Sequence, residues 1–140
     1  MNNAYVIDAN VLVAAFRPSE PHHLPSQTCL QNLRSGQARL FCPTLTLPEI
    51  AAAIVRGTGD ETLARSFTTM LHRLSEMQFV PLDEPLADLA AEIAITCRLH
   101  GADAVYVAVA YQAGAILLTW DAELLTRAAR VITTLTPDKL

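Results

Sequence analysis

The sequence has few of the groups that would attach it to a polyanion or a membrane. Only one of its ten basic residues is a lysine, Lys139, and 14 acidic residues give it a net charge of −4. This composition excludes the strongly basic surface that is typical of general nucleic-acid binders. No apolar run reaches the roughly 18 residues that span a bilayer, so we expect no membrane segment. A phosphate-bearing partner would have to be held by a few local arginines or by metal ions.

Cysteine is also scarce, and the N-terminus lacks the features of a secretion signal. The three cysteines, Cys29, Cys42 and Cys97, are odd in number, widely spaced and form no Cys-x-x-Cys pair, so we expect reduced thiols. The N-terminal segment MNNAYVIDA has no basic residue, and Asp8 interrupts its only apolar run. These features argue against a signal peptide and predict a cytoplasmic protein.

The composition is that of a folded globular chain. Of 140 residues, 51% are hydrophobic and 17% are charged, which excludes intrinsic disorder. A chain of this length buries most of its apolar surface without disulfides or metals. We find no repeat, linker or low-complexity segment, and therefore predict a single domain over residues 1–140.

Short apolar runs alternate with amphipathic or alanine-rich stretches along the whole chain. The runs predict strands at 4–7, 38–43, 78–82, 115–120 and 130–135. The stretches predict helices at 9–16, 25–35, 44–57, 60–76, 83–101, 102–114 and 121–129, with Thr46, Gly57 and Gly101 as helix-end residues. This order is typical of an α/β domain with a central, mostly parallel sheet of four or five strands flanked by helices.

Four acidic residues fall where such a sheet binds ligands, outside the carboxyl ends of its strands. Asp8 follows the first strand and Asp121 the fourth, while Glu49 and Asp103 lie in the first turns of helices. Each also has a purely structural interpretation. Asp121 fits a helix N-cap, Asp103 a first-turn acid, and Thr46-x-x-Glu49 a capping box. Asp8 is the least well explained in this way, because a carboxylate between two apolar runs is costly unless something satisfies it.

Four segments in the chain resemble the PIN-domain ribonucleases, and among them the VapC-type toxins of toxin–antitoxin pairs. The segments are VIDANVLVA (6–14), LPEIAAAI (47–54), GADAVYVAVA (101–110) and LLTWDAELL (117–125). They occur in the order of the family and extend over most of the chain. The resemblance implies that the catalytic, metal-binding quartet is Asp8, Glu49, Asp103 and Asp121. It further implies supporting roles around the quartet for Asn10, Thr119 and, by a looser match, Glu123.

Several carboxylates in one pocket repel each other unless one keeps a proton or a cation joins them. Oxygen ligands without neighbouring His or Cys favour Mg²⁺ or Mn²⁺ over zinc, as one or two ions. Such ions activate water and neutralise charge on a phosphate, which suits hydrolysis of RNA phosphodiester bonds. Without the four acids, the remaining 10 acidic residues balance the 10 basic ones. We therefore expect metal to bind before RNA.

The resulting hypothesis assigns a role to each residue. Asp8 is the central metal ligand, Asp103 and Asp121 complete the shell, and Glu49 holds a second ion or orients the water. Asn10 and Thr119 fix carboxylate orientation. Finally, two arginines near the predicted acidic edge are candidates to hold RNA phosphates: Arg17 and Arg56.

The resemblance also implies a homodimer and an antitoxin that lays a segment over the acidic pocket. Two alternatives remain open. One is a catalytically inactive PIN-like module that binds RNA or serves as a scaffold. The other is a haloacid-dehalogenase-like phosphatase, which would need an aspartate in place of Asn10 and a lysine in the site.

Several other side chains invite a functional interpretation but have a simpler one. His22 and His23 are adjacent in a polar loop, so we expect them to face solvent and not to bind metal. Trp120 could stack a nucleobase, but at a strand end it is expected to pack in the core. Tyr106 and Tyr111 are also predicted to pack inside.

Overall fold

The computed structural model describes residues 3–140, in which a five-stranded parallel sheet is flanked by seven α-helices. The strands are β1 (Ala4–Ile7), β2 (Arg39–Pro43), β3 (Met77–Val80), β4 (Ile116–Leu118) and β5 (Thr134–Leu135). The helices are α1 (Ala9–Phe16), α2 (His23–Ser35), α3 (Thr46–Thr58), α4 (Glu61–Arg73), α5 (Glu84–Cys97), α6 (Gly101–Ala113) and α7 (Ala122–Arg127). The predicted α/β class and order of elements are confirmed.

The sheet has the strand order β3-β2-β1-β4-β5, and each neighbouring pair is parallel. β2 and then β3 are added on one side of β1, and the chain then crosses over to add β4 and β5 on the other side. The order therefore reverses between β1 and β4, where Ile7 pairs with Leu118. In open parallel sheets this reversal opens a crevice at the carboxyl ends of the two strands. The residues that follow β1 and β4 are thus placed to form a site.

Helix α6 is the central helix of the core. Residues 104–110 are all buried, and the helix packs against β1, β2, β4 and α5. This agrees with its apolar composition on every side, since a helix without a polar face has to be covered all round. Complete burial of a Val or Leu side chain contributes about 1.5–3 kcal/mol. The helix that carries Asp103 is therefore firmly anchored.

Two helix ends differ from those predicted. Gly57 lies inside α3, which ends at Thr58 and has Gly59 as its C-cap, with φ of +70°. Gly101 is the first residue of α6, and α5 ends instead at Cys97 and has Arg98 as its C-cap, with φ of +55°. The carbonyl of Arg98 accepts a hydrogen bond of 2.6 Å from Nη1 of Arg127. A partner 29 residues away in the chain stabilises this helix end, so local sequence could not reveal it.

The last predicted strand, 130–135, is shortened to β5, because a 3₁₀ turn at Ala128–Arg130 is followed by Val131 and Ile132, whose backbone N–H groups both bond to the carbonyl of Ala128. The three cysteines are buried and free, as expected of reduced thiols. Among residues 3–140 no single helix is long and apolar enough to cross a membrane. The consecutive helices α5 and α6 meet the length and composition requirement only together, and they are bent by 111°.

Candidate active site

An acidic cleft of about 670 Å³ opens at the carboxyl ends of the central strands. All four predicted carboxylates line it, although they lie on four separate segments of the chain: Asp8, Glu49, Asp103 and Asp121. The parallel sheet explains this convergence, because it brings the ends of β1 and β4 and the first turns of α3 and α6 to one edge.

Asp8 lies at the buried side of the cleft, with only 7% of its surface exposed. Its Oδ2 accepts a hydrogen bond of 2.7 Å from Thr119 Oγ1 and one of 3.3 Å from Asn10 Nδ2. Burial raises the pKa of Asp8 from 3.8 to about 7; the Thr119 hydrogen bond opposes the rise, and the charges of Glu49 and Asp103 add to it. A desolvated carboxylate of this kind holds a proton near neutral pH or takes a cation.

Thr119 and Asn10 connect the ends of β1 and β4 around Asp8. Thr119 is fully buried, and its Oγ1 also accepts the backbone N–H of Asp121 at 3.0 Å. Asn10 Oδ1 accepts the backbone N–H of Trp120 at 3.2 Å. Both side chains therefore touch Asp8 and the segment that carries Asp121, and both are in position for the orienting role predicted for them.

The capping box predicted for Thr46 and Glu49 is wrong. Thr46 is the first residue of α3 and is completely buried, and the N-cap position, Leu45, provides no side-chain cap. The Thr46 hydroxyl instead lies 2.8 Å from the Tyr106 hydroxyl. Tyr106 in turn donates a 2.7 Å hydrogen bond to Oε1 of Glu49. The acidic residue is thus held by a neighbouring helix and does not cap its own.

Tyr106 is buried, as predicted, but its hydroxyl belongs to the site, which the sequence analysis missed. A signal was available. Tyr106 comes three residues after Asp103, so the two side chains lie on the same face of a helix. The burial that surrounds its ring raises the pKa of Tyr106 far above the usual value. The phenol therefore remains protonated and acts as a hydrogen-bond donor.

Asp121 is both a helix cap and a member of the cleft. Its Oδ1 accepts the backbone N–H groups of Glu123 at 2.8 Å and Leu124 at 3.2 Å, at the start of α7. The structural interpretation of Asp121 is therefore correct, and it leaves Oδ2 as the oxygen available to an ion. Glu123 is exposed, forms an ion pair with Arg127 and is not among the residues that line the cleft.

The donor set fits a hard divalent cation. Asp103 is half-buried, and its pKa is raised by burial and then by the charges of Asp121 and Glu49. These carboxylates therefore repel one another across the cleft, a repulsion that a cation relieves. Within residues 3–140, no three acidic, His or Cys side chains are close enough together to coordinate one ion by themselves. Mg²⁺ usually binds through one or two carboxylates and keeps several waters, a mode that this open arrangement allows.

The two arginines differ in position. Arg56 lines the cleft. Arg17 is half-buried and forms a 3.2 Å ion pair with Glu20. Glu20 is itself a lining residue that the sequence analysis did not identify. Arg56 is therefore the arginine placed to meet a ligand in the cleft, whereas the charge of Arg17 is partly used within the protein.

The predictions for the aromatic and histidine side chains were only partly correct. His22 is exposed, but its ring stacks on Trp120 at 3.9 Å between centroids. His23 Nδ1 lies 2.8 Å from the carbonyl of Ala14, so this loop is anchored. Trp120 is half-buried and donates from Nε1 to Ser26 Oγ at 2.8 Å. The prediction for Tyr111 was wrong: it is 58% exposed, because the C-terminal turn of α6 extends past the core.

A family model described as "PIN domain" matches residues 5–131 of this chain. Comparison with curated proteins found no significant match.

Solved structures with a similar fold include FitAB bound to the IR36 DNA fragment, with 21% identity, a TM-score of 0.75, and 97% of this chain and 96% of that chain covered. VapBC2 from Rickettsia felis, bound to a DNA fragment from its promoter, has 14% identity and a TM-score of 0.71, with 95% and 98% covered. VapC20 from Mycobacterium tuberculosis, described as a sarcin–ricin loop cleaving toxin, has 14% identity and a TM-score of 0.71, with 86% and 92% covered.

Proposed function

This chain belongs to the PIN-domain family, and we propose that it is a metal-dependent endoribonuclease that hydrolyses RNA phosphodiester bonds in the acidic cleft. The observation that carries the proposal is the convergence of four carboxylates on one cleft, with Asp8 desolvated at its buried side. Membership of this family removes the phosphatase alternative. The catalytically inactive module remains as one outcome of the test described below.

The role of each residue follows from its contacts. Asp8, held by Thr119 and Asn10, presents its carboxylate in a fixed orientation to the cleft. Asp121 and Asp103 face the same space and provide the further oxygens. Asp8 would bind Mg²⁺ or Mn²⁺ as the central ligand, Asp103 and Asp121 would complete the shell with the help of bound waters, and Glu49 would hold a second ion or orient the attacking water. When bound, a divalent cation supplies an activated water at neutral pH and offsets negative charge on the phosphate.

Charge determines the order of binding. Four carboxylates in one cleft repel a polyanion, so RNA binds there only after the cation has reduced their charge. Arg56 lies on the wall of the cleft and is proposed to contact a phosphate next to the cleaved bond. Arg17, which is paired with Glu20, is proposed to contribute less.

The proposal extends to a toxin of a toxin–antitoxin pair that acts in the cytoplasm as a homodimer. It is supported by the shared fold with FitAB, VapBC2 and VapC20, whose names describe complexes or a toxin. The antitoxin would cover the cleft with a segment and block access of RNA. Expression of this chain alone should then slow bacterial growth, and co-expression of the small protein encoded beside it should restore growth. Unimpeded growth with abundant folded protein would argue against the toxin role.

The direct test is cleavage of a structured RNA pool by purified protein with Mg²⁺, with Mn²⁺ and with a chelator. Cleavage that requires the metal and is absent in Asp8→Asn supports the ribonuclease. Protein that binds RNA but never cuts it, with or without metal, would identify an inactive RNA-binding module. Full activity of Asp8→Asn would refute the assignment of the site.

A further inference from the structure

We propose that Tyr106 is a positioning residue of the site, which acts only through Glu49 and is itself directed by Thr46. The inference rests on the proposed function, because it assigns to Tyr106 the orientation of a carboxylate that binds metal or water. The role is that of a hydrogen-bond donor that keeps Glu49 turned into the cleft.

The contacts run through the protein interior from one helix to the other. The Tyr106 side chain extends from α6 to α3, and only 1% of its surface is exposed. Its hydroxyl lies 2.8 Å from Thr46 Oγ1 and 2.7 Å from Glu49 Oε1. Thr46 is completely buried. Because buried polar atoms are costly to leave unpaired, the three groups form one unit in which each depends on the next.

The direction of these hydrogen bonds follows from the number of protons. An ionised Glu49 is only an acceptor, so the single proton of the Tyr106 hydroxyl must point to it. The Tyr106 oxygen is then left as the acceptor for the proton of Thr46. The order is therefore Thr46 to Tyr106 to Glu49, and each bond polarises the next. Thr46 thus strengthens the hydrogen bond from Tyr106 to Glu49, although of these two residues its hydroxyl contacts only Tyr106.

The consequence concerns the geometry of the site. Glu49 has a long side chain with several rotamers, and it is only half-buried. The hydrogen bond from Tyr106 uses Oε1 and leaves Oε2 for a ligand. Partners of this kind orient metal-binding carboxylates, and their loss typically weakens metal affinity or activity about 10–100-fold. Tyr106 is therefore expected to affect metal affinity without touching the metal.

The experiment compares Tyr106→Phe with Tyr111→Phe, the same change at an exposed position of the same helix. Mn²⁺ affinity is measured on purified protein by electron paramagnetic resonance titration, and RNA cleavage is measured in parallel. Tyr106→Phe should bind Mn²⁺ about tenfold more weakly than wild type, whereas Tyr111→Phe should match wild type. In a Glu49→Ala background, Tyr106→Phe should cause no further loss, because the group through which it acts is gone.

A second pair of variants tests the direction of the hydrogen bonds, and its first comparison keeps Tyr106 and so does not depend on the folding of Tyr106→Phe. Thr46→Ser keeps the hydroxyl and should bind Mn²⁺ like wild type. Thr46→Val removes it and should weaken binding about threefold through loss of cooperativity. In the Tyr106→Phe background, Thr46→Val should have no additional effect on Mn²⁺ affinity.

The inference and the proposed function fail in different ways. Wild-type protein that neither binds Mn²⁺ nor cuts RNA overturns both. Wild-type protein that does both, with Tyr106→Phe indistinguishable from Tyr111→Phe, overturns only the role of Tyr106. A loss in Tyr106→Phe that persists unchanged in the Glu49→Ala background also overturns it, because the tyrosine would then act through packing.

Discussion

Two carboxylates of the cleft are each held by a hydroxyl at 2.7 Å, but their supports differ. Asp8 is bound by Thr119 from the end of the adjacent parallel strand and is almost completely buried. Glu49 is bound by Tyr106 from another helix and is only half-buried. The support of Asp8 follows from the β1–β4 register, whereas that of Glu49 depends on how α3 and α6 pack.

This difference separates two requirements of the site. Asp8, at the end of its strand, is held by hydrogen bonds and is desolvated. Because its ionised form is costly in the protein without metal, Asp8 is the carboxylate that a cation stabilises most. Glu49, on helix α3, is more exposed to water, and its carboxylate is at the end of a longer side chain. The Asp8 side and the Glu49 side of the cleft should therefore respond differently to substitution and to pH. Each of the following measurements can confirm or contradict this difference.

The largest effect is expected from Asp8→Asn. This change removes the central carboxylate while keeping the shape of the side chain, so RNA cleavage should fall below detection, by more than the roughly 100-fold that loss of a supporting residue causes. Glu49→Gln should lose less, because its amide oxygen still accepts the hydrogen bond from Tyr106. Both are measured by initial cleavage rates, with circular dichroism as the control for folding. Equal losses in the two variants would contradict the comparison.

The next largest effect is a dependence of stability on pH. The pKa of Asp8 is about 7 in the folded protein and 3.8 at its ordinary value, so the folded state binds this proton more tightly than the unfolded state. Its contribution to the free energy of unfolding is complete below pH 4 and is lost as the pH rises to 7. The loss amounts to at most ~4 kcal/mol.

Urea unfolding in the presence of a chelator, at several values between pH 4 and pH 8, measures this contribution. Asp8→Asn is the matched control, because it keeps every other titrating group. The free energy of unfolding of wild type, relative to that of Asp8→Asn, should therefore fall as the pH rises from 4 to 7. Parallel pH curves for the two proteins would show that Asp8 does not titrate in this range.

Thr119→Val should have an intermediate effect on the strand side of the cleft. It removes the 2.7 Å hydrogen bond to Asp8 and the acceptor for the backbone N–H of Asp121. We expect a loss of about 1–3 kcal/mol in stability and of about 10–100-fold in cleavage. Thr119→Ser retains the hydroxyl and is the control. Wild-type activity in Thr119→Val would show that Asn10 and the backbone are sufficient to position Asp8.

The smallest effect is expected at a residue that does not line the cleft. Asp60 is the N-cap of α4 and accepts the backbone N–H of Leu63 at 2.9 Å. Asp60→Ala should reduce the free energy of unfolding by about 1 kcal/mol and leave the cleavage rate unchanged. Thermal unfolding and initial rates measure the two quantities. A large loss of cleavage in this variant would mean that activity follows general stability, and the comparison between Asp8 and Glu49 would then lose its meaning.

Much of the fold could be predicted because local patterns encode it. Apolar runs of strand length alternate with helical stretches, and this alternation implied the parallel sheet that the structure contains. The parallel sheet in turn implied that Asp8 and Asp121 would lie near each other at one edge. The boundaries were less predictable: the glycine pattern alone placed helix ends at Gly57 and Gly101, whereas the C-caps of these helices are Gly59 and Arg98.

The support of Glu49 and the stacking on Trp120 could not be predicted in the same way. The hydrogen bond from Tyr106 to Glu49 joins residues 57 positions apart, and the stacking of His22 on Trp120 joins a loop to a strand end. Such contacts depend on the distance and rotation between packed elements, which periodicity does not specify. Local sequence thus determined which elements form and where the acids fall along them. Tertiary packing decided that the hydroxyl of Tyr106 holds Glu49, because hydrogen bonds require atoms to meet within about 3 Å.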